Sequence, residues 1–206
     1  MISDFTSLKA ALEEWLGDDD IASRSADFVT LAEASLNRRL RVSPMLATIG
    51  PTALPTTLII QFPADHLAKS SLRLVGSRPL EYRTPEDFWS RVGANVAVAA
   101  NPQIFTIQSN SYVLAPGSSG GQYLLTYYQK IPALTDTNQT NWLIVQAPDL
   151  YLYASLLVSS PYLADRGRLE EWNGMVEKAI TELQDSDFRD LMSGLGPIRG
   201  EMSPRG

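Results

Sequence analysis

At 206 residues the chain is long enough for one compact core, and its 44% apolar and 19% charged residues are those of a folded protein rather than a disordered or fibrous one. A net charge of −6 argues against a dedicated nucleic-acid binder, which needs a basic surface to displace counterions from phosphate. The lack of cysteine excludes disulfides, thiolate metal sites and a cysteine nucleophile.

No run of about 18 apolar residues predicts a membrane span. Met1-Ile2-Ser3-Asp4 lacks the basic-then-apolar pattern of a secretory signal, so a cytoplasmic product is expected and the sequon Asn138-Gln139-Thr140 is a chance match.

From the N-terminus, Phe5, Leu8, Leu12, Trp15 and Leu16 recur at spacings of three and four. They predict an amphipathic helix from Ser3 to Leu16, with Ser3 as N-cap and Gly17 as stop. Asp18-Asp19-Asp20 reads as a solvated turn, after which Phe28, Leu31, Ala32, Leu36 and Leu40 define a second helix from Ser25 to Arg41. Arg38, Arg39 and Arg41 crowd its last turn. Basic residues there complement the helix macrodipole; outnumbering the local acids, they are also candidates to reach an acidic neighbour.

Beyond Pro44 helical periodicity is lost, and Pro51, Pro55 and Pro63 punctuate β-prone runs at Leu46 to Ile49 and Thr56 to Phe62. His66 is expected in a structural role at the start of a short helix capped by Asp65. Pro79 to Tyr82 reads as a strand, and Thr84-Pro85-Glu86-Asp87 as a helix start with a threonine cap and proline at the first helical position. The runs Gln103 to Gln108 and Ser111 to Ala115 flank Ser109-Asn110, a pair suited to a tight hairpin because asparagine tolerates positive φ. A loop from Pro116 to Gly121 leads into a strand from Gln122 to Gln129. On that strand Tyr123, Leu125 and Tyr127 share one face, opposite Leu124, Thr126 and Tyr128. Core packing explains the tyrosines more simply than a sugar-stacking platform, which leaves a carbohydrate-binding β-module as an alternative.

Helices return near Asp136. Asn141 to Val145 reads as a short helix or turn, and Pro148-Asp149 opens the segment Leu150 to Val158, apolar on all faces and hence the central buried helix. A final helix from Asp165 to Leu191 sets Leu169, Trp172, Val176, Ile180 and Leu183 on one face and Glu170, Glu171, Glu177, Lys178 and Glu182 on the other. The glycine- and proline-rich end predicts a flexible tail. The expected fold is therefore α+β, a bundle of long helices from both termini (residues 1–43 and 134–190) with an inserted small antiparallel β-domain (44–133) and an extended, flexible C-terminal arm (191–206). No repeat appears at solenoid periods.

Catalytic constellations are mostly excluded by counting. The lone His66 cannot supply a pair of zinc imidazoles, and Gly117-Ser118-Ser119-Gly120 is followed by a strand rather than the helix of a hydrolase elbow. There is no Walker loop and no dinucleotide glycine fingerprint. Glu13-Glu14 and Glu170-Glu171 decorate solvated helix faces. No catalytic residue, metal or cofactor is assigned, and the chain is not expected to be an enzyme.

The order of several short motifs is itself informative: Leu36-Asn37-Arg38-Arg39-Leu40-Arg41, Phe62-Pro63-Ala64-Asp65, Pro79-Leu80-Glu81-Tyr82, Leu114-Ala115-Pro116, Leu125 to Leu134, Asn141-Trp142-Leu143, and Pro148 to Tyr153. Together they resemble the head-to-tail adaptor proteins of short-tailed bacteriophages over roughly residues 1 to 190. Phe62 stands where that family often has leucine before the proline, a conservative departure. The resemblance implies a dodecameric ring in the virion neck, made in the host cytoplasm and without membrane contact. Such a ring sits below the portal protein, joins it to tail or nozzle proteins, and extends a channel through which double-stranded DNA passes without sequence-specific binding. It implies that the arm residues Leu191, Met192, Leu195, Ile198, Arg199 and Met202 dock on the portal, and it makes Arg38, Arg39 and Arg41 an inter-subunit cluster. It also implies that the isolated chain is a monomer or weak oligomer until it meets the portal. Another neck or tail-completion protein is the neighbouring alternative.

Overall fold

The computed structural model describes residues 1–17, 23–94, 101–115, 117, 120–162 and 167–193. In chain order the helices are α1 (Phe5–Leu16), α2 (Ser25–Arg39), α3 (Pro85–Ala94), α4 (Trp142–Gln146), α5 (Pro148–Ser159) and α6 (Gly167–Ser193). The strands are β1 (Leu46–Ala53), β2 (Ile59–Gln61), β3 (His66–Leu74), β4 (Glu81–Tyr82), β5 (Ile104–Gln108), β6 (Ser111–Ala115) and β7 (Gln122–Gln129). The chain divides into two compact units, residues 1–44 with 131–206, and residues 45–130. No helix among the described residues is long and apolar enough to cross a membrane.

The expected architecture of long helices with a small β insertion is corrected. The described chain is a mixed fold of six α-helices and seven strands in two sheets. Of the helices only α6, with 27 residues, is longer than 15; α3 lies among the strands; and α6 runs on through Leu191 and Met192, so the supposed arm begins as helix. The amphipathic stripes mark the helices correctly, but the strands between them pair into two sheets of three and four strands, too large a share of the chain for a small insertion.

In the first unit, α1 begins at Phe5 and its N-cap falls one residue later than the spacing suggests. Asp4, not Ser3, is its N-cap, accepting the Ser7 N–H at 2.8 Å while Ser7 Oγ accepts the Asp4 N–H at 3.0 Å. Gly17 ends it in the left-handed region at φ 63°. The expected Asp18-Asp19-Asp20 turn lies outside the described residues. Helix α5 is the apolar centre, with Leu150, Tyr151, Ala154 and Leu156 buried, and α1, α2, α4 and α6 all pack on it. The buried stripe of α2 is Phe28, Val29, Ala32, Glu33 and Leu36; Leu31 faces out. On α6, Trp172, Val176 and Ile180 are buried and Leu169 is not.

A buried polar network fixes the non-helical segment ahead of α4. Glu33 Oε1 accepts the Leu134 N–H at 2.8 Å and the Tyr151 hydroxyl at 3.0 Å. Asn141 Nδ2 donates to Tyr151 Oη and to the Pro132 carbonyl, each at 2.7 Å, while its Oδ1 caps α4 by accepting the Ile144 N–H at 3.0 Å. Asn37 Oδ1 accepts the Ile131 N–H at 2.9 Å. Burial raises the Glu33 carboxyl pKa, with the two hydrogen bonds opposing.

The second unit holds a three-stranded antiparallel sheet, β1-β7-β3, and a four-stranded sheet, β2-β6-β5-β4, in which β4 and β5 are parallel. Leu72, Tyr123, Leu125 and Tyr127 of the first sheet share one apolar cluster with Ile60, Phe105, Tyr112 and Leu114 of the second. Ser109 and Asn110, at φ 48° and 58°, make the tight β5–β6 hairpin. The short helix expected at Asp65-His66 does not form. His66 opens β3, a strand the residue pattern did not announce, because its polar run Lys69-Ser70-Ser71 and two register shifts against β7 blur the alternation. Gly50 sits at the β1 irregularity with φ 113°, where any Cβ would collide with the Tyr123 carbonyl oxygen.

Candidate functional site

The first unit carries a groove of about 730 Å³ formed by α6, the Val42–Pro44 turn and the α4–α5 junction. Ala179, Glu182, Leu183, Ser186, Asp187 and Asp190 recur every three or four residues, which puts them on one face of α6. Val42 and Ala179 give the groove a buried apolar lining, and Asp149, Glu182, Asp187 and Asp190 give it carboxylates. The Ser43 N–H donates to both Asp187 carboxylate oxygens, at 3.0 and 3.1 Å, which ties the turn to the helix. Ser43 Oγ is buried without a hydrogen-bond partner. Glu182 has Lys178 at 3.8 Å, and Asp149 occupies the first turn of α5, where the helix dipole favours an acid. Among the described residues no group of three or more ligating side chains is arranged to hold a metal ion. The groove is suited to a cationic, partly apolar protein surface.

The arginine cluster separates into three fates. Arg39 makes an ion pair with Glu177 of α6. Arg41 Nη1 donates to the carbonyls of Asn37 and Leu40 at the end of α2, the capping role expected of a C-terminal cation. Arg38 is exposed and makes no hydrogen bond or ion pair with any described residue.

The proposed arm residues fall on both sides of the limit of description. Leu191 and Met192 lie on the last turns of α6, 58% and 45% exposed, beside Phe188 at 58%. Leu195, Ile198, Arg199 and Met202 lie outside the described residues, as do Pro116, Ser118 and Ser119 of the β6–β7 loop. After Ile180 no residue of α6 up to Ser193 is buried.

In the second unit, His66 stacks on Phe62 with ring centroids 3.8 Å apart, and its Nε2 lies 2.6 Å from Tyr112 Oη. Tyr127 donates to Asp65 Oδ1 at 3.0 Å. Burial lowers the His66 pKa, against the pull of Asp65, so the ring is neutral at pH 7 and packs as an aromatic. Tyr123 and Tyr127 are 8% and 4% exposed, which removes them as a sugar platform. The residue pattern missed the groove and the Glu33 network. Glu33 did carry a signal, since it falls on the α2 stripe between Val29 and Leu36.

No curated protein matches the chain. A family model described as SU10 adaptor protein matches residues 3–199, across both compact units and in line with the adaptor resemblance carried by the short motifs, and the chain belongs to that family of phage structural adaptors.

Proposed function

We propose that this chain is a head-to-tail adaptor of the virion neck, assembling as a ring of about twelve copies beneath the portal, joining it to tail or nozzle proteins and prolonging the DNA channel. The observation that carries the reading is the family match over residues 3–199. Two physical features support it. Thirteen residues of α6, Thr181 to Ser193, follow the last buried position and expose Phe188, Leu191 and Met192. Exposed apolar side chains on a helix end held by the half-buried Leu183 and the Ser43–Asp187 hydrogen bonds gain from a partner. The net charge of −6 suits a wall past which a polyanion slides without adhering.

In this reading Leu191 and Met192, with Leu195, Ile198, Arg199 and Met202, contact the portal, the ordering cost being met on binding. Deleting Leu195 to Gly206 is expected to leave both compact units folded and to weaken co-sedimentation with portal rings. Unchanged portal binding overturns the arm assignment.

A further inference from the structure

We propose that the acidic groove of one copy receives the Arg38 end of α2 from the neighbouring copy. The proposal rests on the ring reading and supplies its contact. The groove presents Asp149, Glu182, Asp187 and Asp190 around an apolar lining, and the one cation paired with any of these carboxylates among the described residues is Lys178, at 3.8 Å from Glu182. Arg38 is the complementary group. Its two neighbours are engaged within their own copy, Arg39 by Glu177 and Arg41 by the α2 carbonyls, whereas Arg38 reaches none of the acids of its own groove.

The geometry of α2 explains why. Arg38 is two residues, about 200° of helical turn, beyond the buried Leu36, so it points away from α5. Leu31, 49% exposed and two turns earlier, lies on the same outer row, and the half-buried Leu183 lines the groove. An apolar contact is therefore available beside the ionic one. Arg38 and the groove do not meet within one copy, so the contact repeated head-to-tail from copy to copy closes into a ring. A guanidinium suits it because it forms forked bonds to carboxylates and gives up hydration more readily than an ammonium.

The chain has no cysteine, so a probe can be placed at one position. An Asp190→Cys chain carrying a benzophenone maleimide is mixed with isotope-labelled cysteine-free chain, assembled with portal rings, irradiated and digested. The expected product joins position 190 to a labelled peptide containing Arg38. A portal adduct beside the Arg38 one is compatible with the portal contact of Leu191 and Met192; adducts only with the portal, with residues 195–206 or within one copy, or no product at all, overturn the groove assignment provided rings are present by electron microscopy. Absence of rings with the wild-type chain overturns the ring reading instead. In a second arm, Arg38→Glu is expected to reduce ring yield about tenfold, the effect of turning an attraction into a like-charge contact, and Asp190→Arg in the same chain is expected to restore it. Both side chains are exposed, so both variants fold; full ring yield from Arg38→Glu alone also overturns the assignment.

Discussion

Replacing Glu33 by alanine removes the acceptor for two buried donors, the Leu134 N–H and the Tyr151 hydroxyl. A buried donor left unpaired costs roughly 1–3 kcal/mol. Tyr151 Oη still accepts from Asn141 Nδ2, and a carboxylate with no cationic partner among the described residues is removed at the same time, which offsets part of the loss. The net destabilisation is expected to be about 2–4 kcal/mol, a large share of a typical stability of roughly 5–15 kcal/mol. For a chain of this size that corresponds to a fall in Tm of roughly 5–15 °C. Urea unfolding is read by tryptophan fluorescence in a Trp89→Phe background, which leaves Trp15, Trp142 and Trp172, all in the unit that contains Glu33. Glu33→Gln keeps an acceptor and carries no charge to desolvate, so at pH 7 it is expected to match or exceed the wild type. Burial raises the Glu33 pKa in the folded state, so the folded chain binds that proton more tightly than the unfolded chain. The stability it contributes is present in acid and is lost as pH rises through the raised pKa. The wild type is therefore expected to lose ground to Glu33→Gln between acid and neutral pH. An alanine variant within about 0.5 kcal/mol of wild type, the scatter typical of surface substitutions, or a glutamine variant as unstable as alanine, refutes the network as a stabilising element.

Other residues give independent checks. Asn141→Ala removes the α4 cap and both donors to Tyr151 and Pro132, and a loss of about 2–3 kcal/mol in the same urea assay is expected. Gly50→Ala places a Cβ against the Tyr123 carbonyl at positive φ; a loss of roughly 2 kcal/mol or more is expected, read by Trp89 fluorescence in the second unit. As the single histidine, His66 gives one imidazole signal in NMR, and its midpoint is expected below the usual histidine range because burial disfavours the cation. A midpoint at or above that range contradicts the packed, neutral ring.

The long apolar helix α5, the Thr84-Pro85 helix start, the Ser109-Asn110 hairpin and the facing of β7 were legible because each depends on local periodicity or on one turn chemistry. The overall architecture was not. His66 to Leu74 has too little alternation to announce a strand, so β3 went unread within the β unit, and the α6 stripe gave no sign that its last buried residue is Ile180. The groove was illegible for a different reason. Its walls come from residues 42–44, 146–149 and 179–191, and only tertiary packing brings those stretches together. Arg38, Arg39 and Arg41 stand out together by their place in the last turn of a predicted helix; their division into one ion pair, one cap and one unengaged cation depends on which face of α2 each side chain occupies.

Assembly of this chain beneath a portal can be seen in the microscope. Electron microscopy of the purified chain, alone and after incubation with the portal of its own phage, tests it directly. Monomers or weak oligomers are expected alone, and closed adaptor rings seated on the portal in the mixture. A chain that leaves the portal bare, under conditions where both proteins are folded, contradicts it.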